Sequence, residues 1–224
     1  MLGFPIHTEL NKRIPKQKFY DNLSVTPALK RVFIEQVNAI YWRNKIATST
    51  LNVASGERVT EIEVFELRLN QQKLDTTILQ LIDKEIPYHI LFILSFEDMC
   101  QVWIGYKEAN AVKSGNFKVG SYFHTDWVKT ERLSLRLEGL TIDAVYDNLV
   151  RQIAPQEVAG WSVENGVKRA VEQYEQKQKL LKEIAALEKK VQIEKQFNRQ
   201  VEMNEELKQM KLELEVFDNA KEPV

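Results

Sequence analysis

Apolar residues recur at helical spacing in the first part of the chain. The repeated positions are Leu29, Val32, Phe33, Val37, Ile40 and Tyr41. Thr26 and Pro27 stand just before them, and these residue types are typical of an N-cap and of the first helical position. The pattern predicts a first helix from Pro27 to about Lys45. Its cations would point largely to solvent: Lys30, Arg31 and Arg43.

The segments that follow have patterns typical of strands, with one helix between them. β-prone runs flank Ser55–Gly56 and predict a hairpin over residues 49–70. "KLDTTILQLIDKEI" predicts a helix that ends before Pro87. "YHILFILSF" is apolar at both alternations, which is typical of a strand covered on both faces. "CQVWIGYK" would be its antiparallel partner beyond a turn at Glu97–Asp98.

A polar loop over 108–117 precedes two further predicted strands, "FKVGSYFHTDW" and "RLSLRL". The second alternates leucine with polar residues, so one of its faces would be buried. Gly139 would end it, and Thr141 would cap a helix over "TIDAVYDNLVRQIA". Together these elements predict an α+β domain over residues 1–155, with a mixed, mostly antiparallel sheet flanked by helices.

The last quarter of the chain has the composition of a long helix or helical hairpin. Residues 156–166 contain glycines that predict a linker, residues 167–217 lack any helix breaker, and residues 218–224 would be a flexible tail. Eight apolar residues follow coiled-coil spacing in two registers and form a predicted seam: Leu180, Ile184, Leu187, Val191, Met203, Leu207, Met210 and Leu214. Because the registers differ, the helix either turns back near Asn198 or offers different faces to different partners. In both cases another helical surface must cover the seam.

Composition excludes several classes of protein. The 224 residues are 44% hydrophobic, and no apolar run approaches the roughly 20 residues of a membrane-spanning helix. The first residues lack the pattern of an export signal. The single cysteine, Cys100, has no partner for a disulfide within the chain, which predicts a cytoplasmic protein.

Positive charge is concentrated near the start of the chain. Residues 1–45 contain eight Lys or Arg and three acids, although the whole chain has a net charge of −1. Four of these cations lie in "NKRIPKQKFY": Lys12, Arg13, Lys16 and Lys18. They are candidate contacts to DNA phosphates, with Pro15 holding an extended segment. The alternative is that these cations merely flank a helix whose other face is buried.

The segment "EIEVFELRL" offers the one candidate for catalysis. Metal-dependent nucleases cluster carboxylates around a cation and place a base nearby. Glu66 and Arg68 have the outline of such a pair, whereas Glu61 and Glu63 would project from the opposite face of a regular strand. Arginine is a poor base, so a nuclease is the alternative hypothesis and a solvated sheet face is the simpler one.

No other motif predicts a metal or a cofactor. His124 and Asp126 share a strand face but lack a third ligand, and Cys100 lacks the neighbouring cations that activate a thiol. The eight glycines form no phosphate-binding fingerprint. We therefore expect no metal site, no cofactor and no catalytic residue, and Trp161 in the linker is a candidate anchor for a partner.

Ordered motifs along nearly the whole chain resemble one family. They are "NKRIPKQKFY", "AIYWRNKIATSTLNV", "VFELRLNQ", "IPYHILFIL", "VWIGYKE", "LEGLTIDAVYDNLVRQIA" and "EKQFNRQVEMNEELKQMKLELE". In these the chain resembles the bacterial domain-of-unknown-function 4391 family, whose genes tend to lie beside DNA methyltransferases and helicase-type restriction subunits. The resemblance implies an accessory role in restriction or phage defence and no catalytic residue. We therefore expect a homo-oligomer or a complex with a methyltransferase or helicase subunit, with DNA contact through the basic segment.

Overall fold

A computed structural model describes residues 3–22, 26–109, 117–155, 158 and 166–219. The chain divides into two compact units, Met1–Gly160 and Trp161–Val224. The first is a mixed α+β unit and the second is helical. Nearly all of the predicted linker, including Trp161, and residues 220–224 of the predicted tail lie outside the described residues.

The first unit is built on one seven-stranded sheet. Its strands are β1 (Glu9–Ile14), β2 (Val37–Ala47), β3 (Glu61–Leu69), β4 (His89–Phe96), β5 (Met99–Ala109), β6 (Phe117–His124) and β7 (Val128–Lys129). Strands β1 to β6 lie side by side in chain order, and β7 pairs with β5. All pairs are antiparallel except β3 with β4, because a helix carries the chain back between these two strands. The predicted mixed, mostly antiparallel sheet is therefore present.

Helices cover both faces of this sheet. They are α1 (Gln17–Asn22), α2 (Pro27–Gln36), α3 (Thr77–Glu85) and α4 (Ile142–Ile153). Side chains from α2 and α3 form one core with the odd-numbered residues of β3, and Phe33 and Ile78 are fully buried there. On the other face Tyr146 of α4 packs edge-on against His89 at the start of β4. The sheet is thus the middle of three layers, and β4 is covered on both faces as predicted.

The first predicted helix is too long by nine residues. Helix α2 is capped by Thr26, whose hydroxyl accepts from Leu29 N, but it ends at Gln36 and the chain continues directly as β2. Residues 37–46 are rich in β-branched and aromatic side chains, and pairing with β1 and β3 decides in favour of a strand. Lys30 and Arg31 are exposed as predicted, whereas Arg43 turns into the protein.

Two of the predicted strands are also wrong. Residues 132–137 bury Leu133 and Leu135 in the predicted alternation but belong to no strand. Instead the side-chain amide of Gln152 on α4 bonds both the N–H and the carbonyl of Arg136, at 2.9 Å each, in place of a neighbouring strand. The first arm of the predicted hairpin is likewise irregular, and only Ala54 forms a bridge, to Thr141.

Three further predictions for this unit agree with the structure. Helix α3 ends before Pro87, β4 and β5 form an antiparallel pair, and the hydroxyl of Thr141 caps α4 by accepting from Ala144 N. Most of the predicted loop 108–117 lies outside the described residues. Strand β1 and helix α1 replace the extended segment expected around Pro15.

The second unit contains two helices, α5 (Gly166–Ile193) and α6 (Phe197–Asn219). They contact each other, and Lys211 Nζ lies 2.7 Å from Glu188 Oε1. A continuous helix would hold these residues about 35 Å apart, so the chain turns back at residues 194–196, close to the predicted position. Leu180, Ile184 and Leu187 of the seam are buried. The other five seam residues are half-buried: Val191, Met203, Leu207, Met210 and Leu214.

No helix among the residues described is both long enough and apolar enough to cross a bilayer.

Candidate functional site

The sheet face that carries α4 is open at one end, where a polar cavity of about 530 Å³ lies. Strands β2, β3, β4 and β5 and the segment after β7 contribute its walls. The lining residues are Asn38, Glu66, Arg68, Leu69, Ile93, Ser95, Glu97, Cys100, Thr130 and Leu133. We call this the Glu66 cavity.

Glu66 is buried in the floor of the cavity, with only 3% of its surface exposed. Its Oε2 accepts from Arg43 Nε at 2.5 Å, and the same guanidinium forms an ion pair with it. Its Oε1 accepts from Ser95 Oγ at 2.8 Å and from Arg68 Nε at 3.3 Å. Both oxygens of this carboxylate are therefore already held by cationic or hydroxyl donors from three strands.

A β-bulge brings Arg43 to Glu66. Trp42 pairs with Phe65 and Asn44 pairs with Val64, so Arg43 is the extra residue on β2. Its side chain therefore lies on the Glu66 face of the sheet, and Arg43 NH1 also donates to Asn11 Oδ1 at 3.0 Å. The sequence offered no signal for this position, because a bulge depends on how two strands pair.

Tyr41 holds two of the arginines in place. The guanidinium carbons of Arg43 and Arg68 each lie 4.6 Å from the centre of its ring. Cations over an aromatic face are stabilised by the ring's quadrupole. Arg13 pairs with Tyr41 across β1 and β2, and Tyr41 pairs with Glu66 across β2 and β3, so these three residues share one face. Arg13, Arg43 and Arg68 thus make this end of the sheet cationic around one buried carboxylate.

The residues of the nuclease hypothesis do not converge. Glu61 and Glu63 lie on the face of β3 opposite Glu66, as the alternation predicts. Glu63 Oε2 accepts from Trp42 Nε1 at 2.5 Å, and Glu61 forms an ion pair with Lys45 at 2.6 Å. Among the described residues, no three His, Cys, Asp or Glu side chains are grouped so that they could hold a metal ion. The carboxylates of β3 are therefore bound to cations and to an indole within the fold.

The pKa of Glu63 is strongly shifted, because this carboxyl is buried beside that of Glu61. Burial, together with the side chain of Glu61, raises the pKa of Glu63 to about 7. The indole N–H of Trp42 and the ammonium of Lys45 oppose this rise. A carboxyl with such a pKa can exchange a proton near neutral pH, but this one lies on the face of the sheet opposite the Glu66 cavity.

His124 and Cys100, the other candidates, are held within the fold. The ring of His124 lies 4.2 Å from that of Trp103, and its Nδ1 is 3.1 Å from Gln101 Nε2. Cys100 is buried in the sheet, and burial raises the pKa of its thiol. A raised pKa disfavours the thiolate, so this cysteine has the properties of a packing residue.

The four cations of the basic segment do not share one surface. Arg13 lies on the Glu66 face of β1, and Lys12, which pairs with Trp42, lies on the opposite face. The chain leaves the sheet after Ile14, so Lys18 stands on α1. Lys16 Nζ donates to Val37 O at 2.6 Å, which joins this segment to the start of β2.

Helix α6 carries a second apolar surface that the sequence-based prediction missed. Four large apolar side chains are exposed along it: Phe197, Val201, Leu212 and Val216. At 100° per residue they are centred about 180° from the seam residues of the same helix. We call these four residues the outer stripe. Phe197 is 75% exposed and Val216 is 68% exposed, so nothing in the described chain covers the ends of the stripe.

Comparison with known proteins gives a family and no activity. A family model described as a domain of unknown function (DUF4391) matches residues 2–214. No curated protein matches the chain, and no solved structure matches it either. Because the match spans nearly the entire sequence, the chain belongs to the DUF4391 family.

Proposed function

We propose that this protein is a non-catalytic accessory subunit of a bacterial assembly that processes DNA in restriction or phage defence. The observation that carries the proposal is the outer stripe of α6. One face of α6 bears the half-buried seam, and the opposite face presents four large apolar side chains to solvent. Exposed apolar surface of this kind marks sites of protein association. The helical unit would therefore join the chain to another protein or to a second copy.

The geometry of the acidic residues supports a non-catalytic role. Glu66 is bound by Arg43, Arg68 and Ser95, and Glu63 is bound by Trp42. A carboxylate that binds a catalytic metal needs oxygens directed at the ion and further ligands beside it. The polar groups around Glu66 are donors, which suits a structural ion-pair network better than a cation site.

DNA contact is the proposed role of the basic end of the sheet. Lys12 and Arg13 are exposed on β1, and Arg13 lies in the same cross-strand row as Tyr41. Phosphate contacts from such side chains position a protein on a duplex without reading its sequence. Lys16 and Lys18 would add positive charge nearby, although the ammonium of Lys16 already binds a backbone carbonyl.

A capture experiment tests the assembly. The tagged full-length chain is purified from its native host and the bound proteins are identified by mass spectrometry, with an unrelated tagged protein as control. The proposal expects a methyltransferase, helicase or nuclease subunit in stoichiometric amounts, because the family resemblance implies neighbouring genes of that kind. Recovery of the chain without any of these subunits would contradict it.

A binding titration tests the contact to DNA. Affinity for a DNA duplex is measured at two salt concentrations for the parent and for the variant Lys12→Ala/Arg13→Ala. Loss of two phosphate contacts should reduce the slope of log K against log salt by about 1.8. The control variant Lys189→Ala/Lys190→Ala removes the same charge from exposed positions of α5 and should leave the slope unchanged. Equal slopes for parent and both variants would exclude DNA contact through Lys12 and Arg13.

A further inference from the structure

The outer stripe of α6 has a regular spacing once two charged residues are included. Phe197 and Val201 are followed by Glu205, and Lys208 precedes Leu212 and Val216. The intervals are therefore 4, 4, 3, 4 and 4 residues. Glu205 and Lys208 are exposed, and within the described chain neither takes part in an ion pair. Both charges are thus available to a molecule that covers the stripe.

This spacing suits a long contact between nearly straight helices. Intervals of 4, 4 and 3 residues add to the 11-residue repeat, which corresponds to 3.67 residues per turn. A stripe with that period stays on one side of an α-helix for the whole length of α6. The seam follows the different 4-3-4 spacing, so the two apolar faces of α6 fit partners of different geometry.

The apolar and charged positions of the stripe are also arranged symmetrically about the point between residues 206 and 207. Reversal of direction places Phe197 on Val216, Val201 on Leu212 and Glu205 on Lys208. Apolar residues would then meet apolar residues, and each carboxylate would meet an ammonium. We propose that the outer stripe binds the same stripe of a second copy, with the two α6 helices antiparallel about a twofold axis at this point. This inference deepens the proposed function, since it names the first partner of the helical unit.

Other arrangements of the same two helices are less favourable. A parallel pair would place Glu205 beside Glu205 and Lys208 beside Lys208, and like charges in contact repel. An antiparallel pair shifted by one turn would place Val201 against Lys208, or Leu212 against Glu205, which leaves a charge against apolar surface. Among these arrangements, only the symmetric register places apolar residues opposite apolar residues and Glu205 opposite Lys208 at all six positions.

A twofold contact also limits the size of the assembly. Each copy uses the same patch, so the stripes of two copies cover each other and no part of the stripe remains for a third copy. The predicted product is a closed dimer in which the seam of each copy stays within its own chain.

Cross-linking through added cysteines tests the direction and the register. Asn198→Cys and Glu215→Cys are exposed positions that flank the stripe and leave its six residues intact. In the proposed dimer residue 198 of one copy lies at the level of residue 215 of the other, with the two Cβ atoms about 8 Å apart, whereas two copies of residue 198 are about 25 Å apart. A thiol cross-linker that spans about 10 Å should therefore link a mixture of the two variants into heterodimers, and each variant alone should not cross-link.

The parent chain is the control for this experiment, because its single Cys100 is buried. Rapid cross-linking of each variant alone would show a parallel pair and would overturn the proposal. A mixture that forms no cross-link, from protein that sediments as a monomer, would overturn it as well.

Charge reversal tests the pairing of Glu205 with Lys208. The dissociation constant is measured by analytical ultracentrifugation of the full chain, and circular dichroism confirms that each variant keeps its helix. Glu205→Lys would place lysines opposite each other twice, and the dissociation constant should rise about tenfold or more. Glu205→Lys/Lys208→Glu restores both pairs and should return it to within about threefold of the parent. A double variant as weak as the single one would contradict the proposed register.

The two proposals can fail separately. Capture of a methyltransferase or helicase subunit by a monomeric chain would uphold the accessory role and exclude the homodimer. A dimer with the expected cross-links that captures no such subunit would uphold the homodimer and exclude the proposed assembly.

Discussion

Lys107 and Asp83 form an ion pair in the interior of the first unit, with Nζ 2.7 Å from Oδ1 and both side chains fully buried. Lys107 Nζ also donates to the carbonyls of Asp83 and Tyr88, and the hydroxyl of Tyr122 donates to the Asp83 carboxylate. Burial raises the pKa of Asp83 and lowers that of Lys107, while their mutual attraction opposes both shifts. The pair joins α3 to β5 and β6.

Loss of one partner of this pair should be costly. Lys107→Met leaves a buried carboxylate without its counter-ion, so the free energy of unfolding should fall by about 3 to 5 kcal/mol. The double variant Lys107→Met/Asp83→Leu removes both charges and should be clearly more stable than Lys107→Met. Urea denaturation of the three proteins measures this difference. A double variant less stable than the single one would show that the pair is not coupled in this way.

The Glu66 network should behave as structure and not as a catalytic centre. Glu66→Gln deprives the half-buried Arg43 of its carboxylate, and the free energy of unfolding should fall by about 3 kcal/mol. Arg68→Ala is the matched control, because Arg68 is half exposed and its ion pair should contribute less than about 1 kcal/mol. Chemical denaturation gives both values.

The same purified proteins can be incubated with DNA and Mg²⁺ or Mn²⁺. We expect no cleavage by the parent, because the oxygens of Glu66 are held by donors. Cleavage by the parent that Glu66→Gln abolishes would instead establish the nuclease hypothesis.

Two buried groups should give the stability an unusual dependence on pH. The pKa of Glu63 rises from 4.5 to about 7, so the folded state holds a proton that the unfolded state releases, and stability falls as pH rises through this interval. Burial lowers the pKa of His89 from 6.5 to about 4, so stability falls as pH drops from 6.5 to 4. The two slopes have opposite signs between about pH 4.5 and 6.5 and nearly cancel.

Glu63→Gln separates the two contributions. The variant should gain stability relative to the parent as pH rises from 4.5 to 7, by at most about 1.4 kcal/mol per pH unit. Denaturation curves of the two proteins at several pH values measure this difference. A difference that does not change with pH would show that Glu63 titrates at its ordinary pKa.

Asp143 should be essential for the loop that precedes β3. Its carboxylate accepts from the backbone N–H groups of Glu57 at 3.0 Å, Arg58 at 3.2 Å and Val59 at 2.8 Å. Asp143→Ala leaves these donors without an acceptor, and the free energy of unfolding should fall by about 2 to 3 kcal/mol.

Asp147→Ala is the control for this prediction, because Asp147 contacts only the side chain of Arg58 in the same loop. It should cost less than Asp143→Ala in the same denaturation measurement. Equal losses would indicate that the contact with Arg58, and not the backbone bonds, holds the loop.

Local patterns predicted those parts of the fold that local interactions determine. Thr141 and its helix, the apolar strand β4 and the long helices α5 and α6 all follow from residues close together in sequence. The strand β2 could not be predicted in this way, because Val37 and Ile40 are three residues apart, which is helical spacing. A register shift between Val37 and Ala39 brings both side chains into the same core although the segment is a strand. Its neighbours β1 and β3 determine the outcome, and they are distant in sequence.

In the candidate sites, too, local features could be predicted from the sequence, whereas contacts between distant residues could not. The bulge that directs Arg43 to Glu66 and the contact of Lys107 with Asp83 join residues about 23 positions apart, and no spacing rule predicts them. The outer stripe of α6 is local and could have been found. Glu205 and Lys208 separate its two pairs of apolar residues. The regular spacing is therefore visible only when these two charged residues are counted as members of the stripe.

Strand β1 has a consequence for the solution behaviour of the protein, because it forms one border of the sheet. Such a border exposes unpaired backbone groups and invites another chain to extend the sheet. Here Asn11 has a φ of +50° at a register shift, and the exposed Lys12 and Arg13 follow it. The irregular backbone and the paired positive charges would repel a second border strand, so the residues proposed to meet phosphates also protect the protein from aggregation.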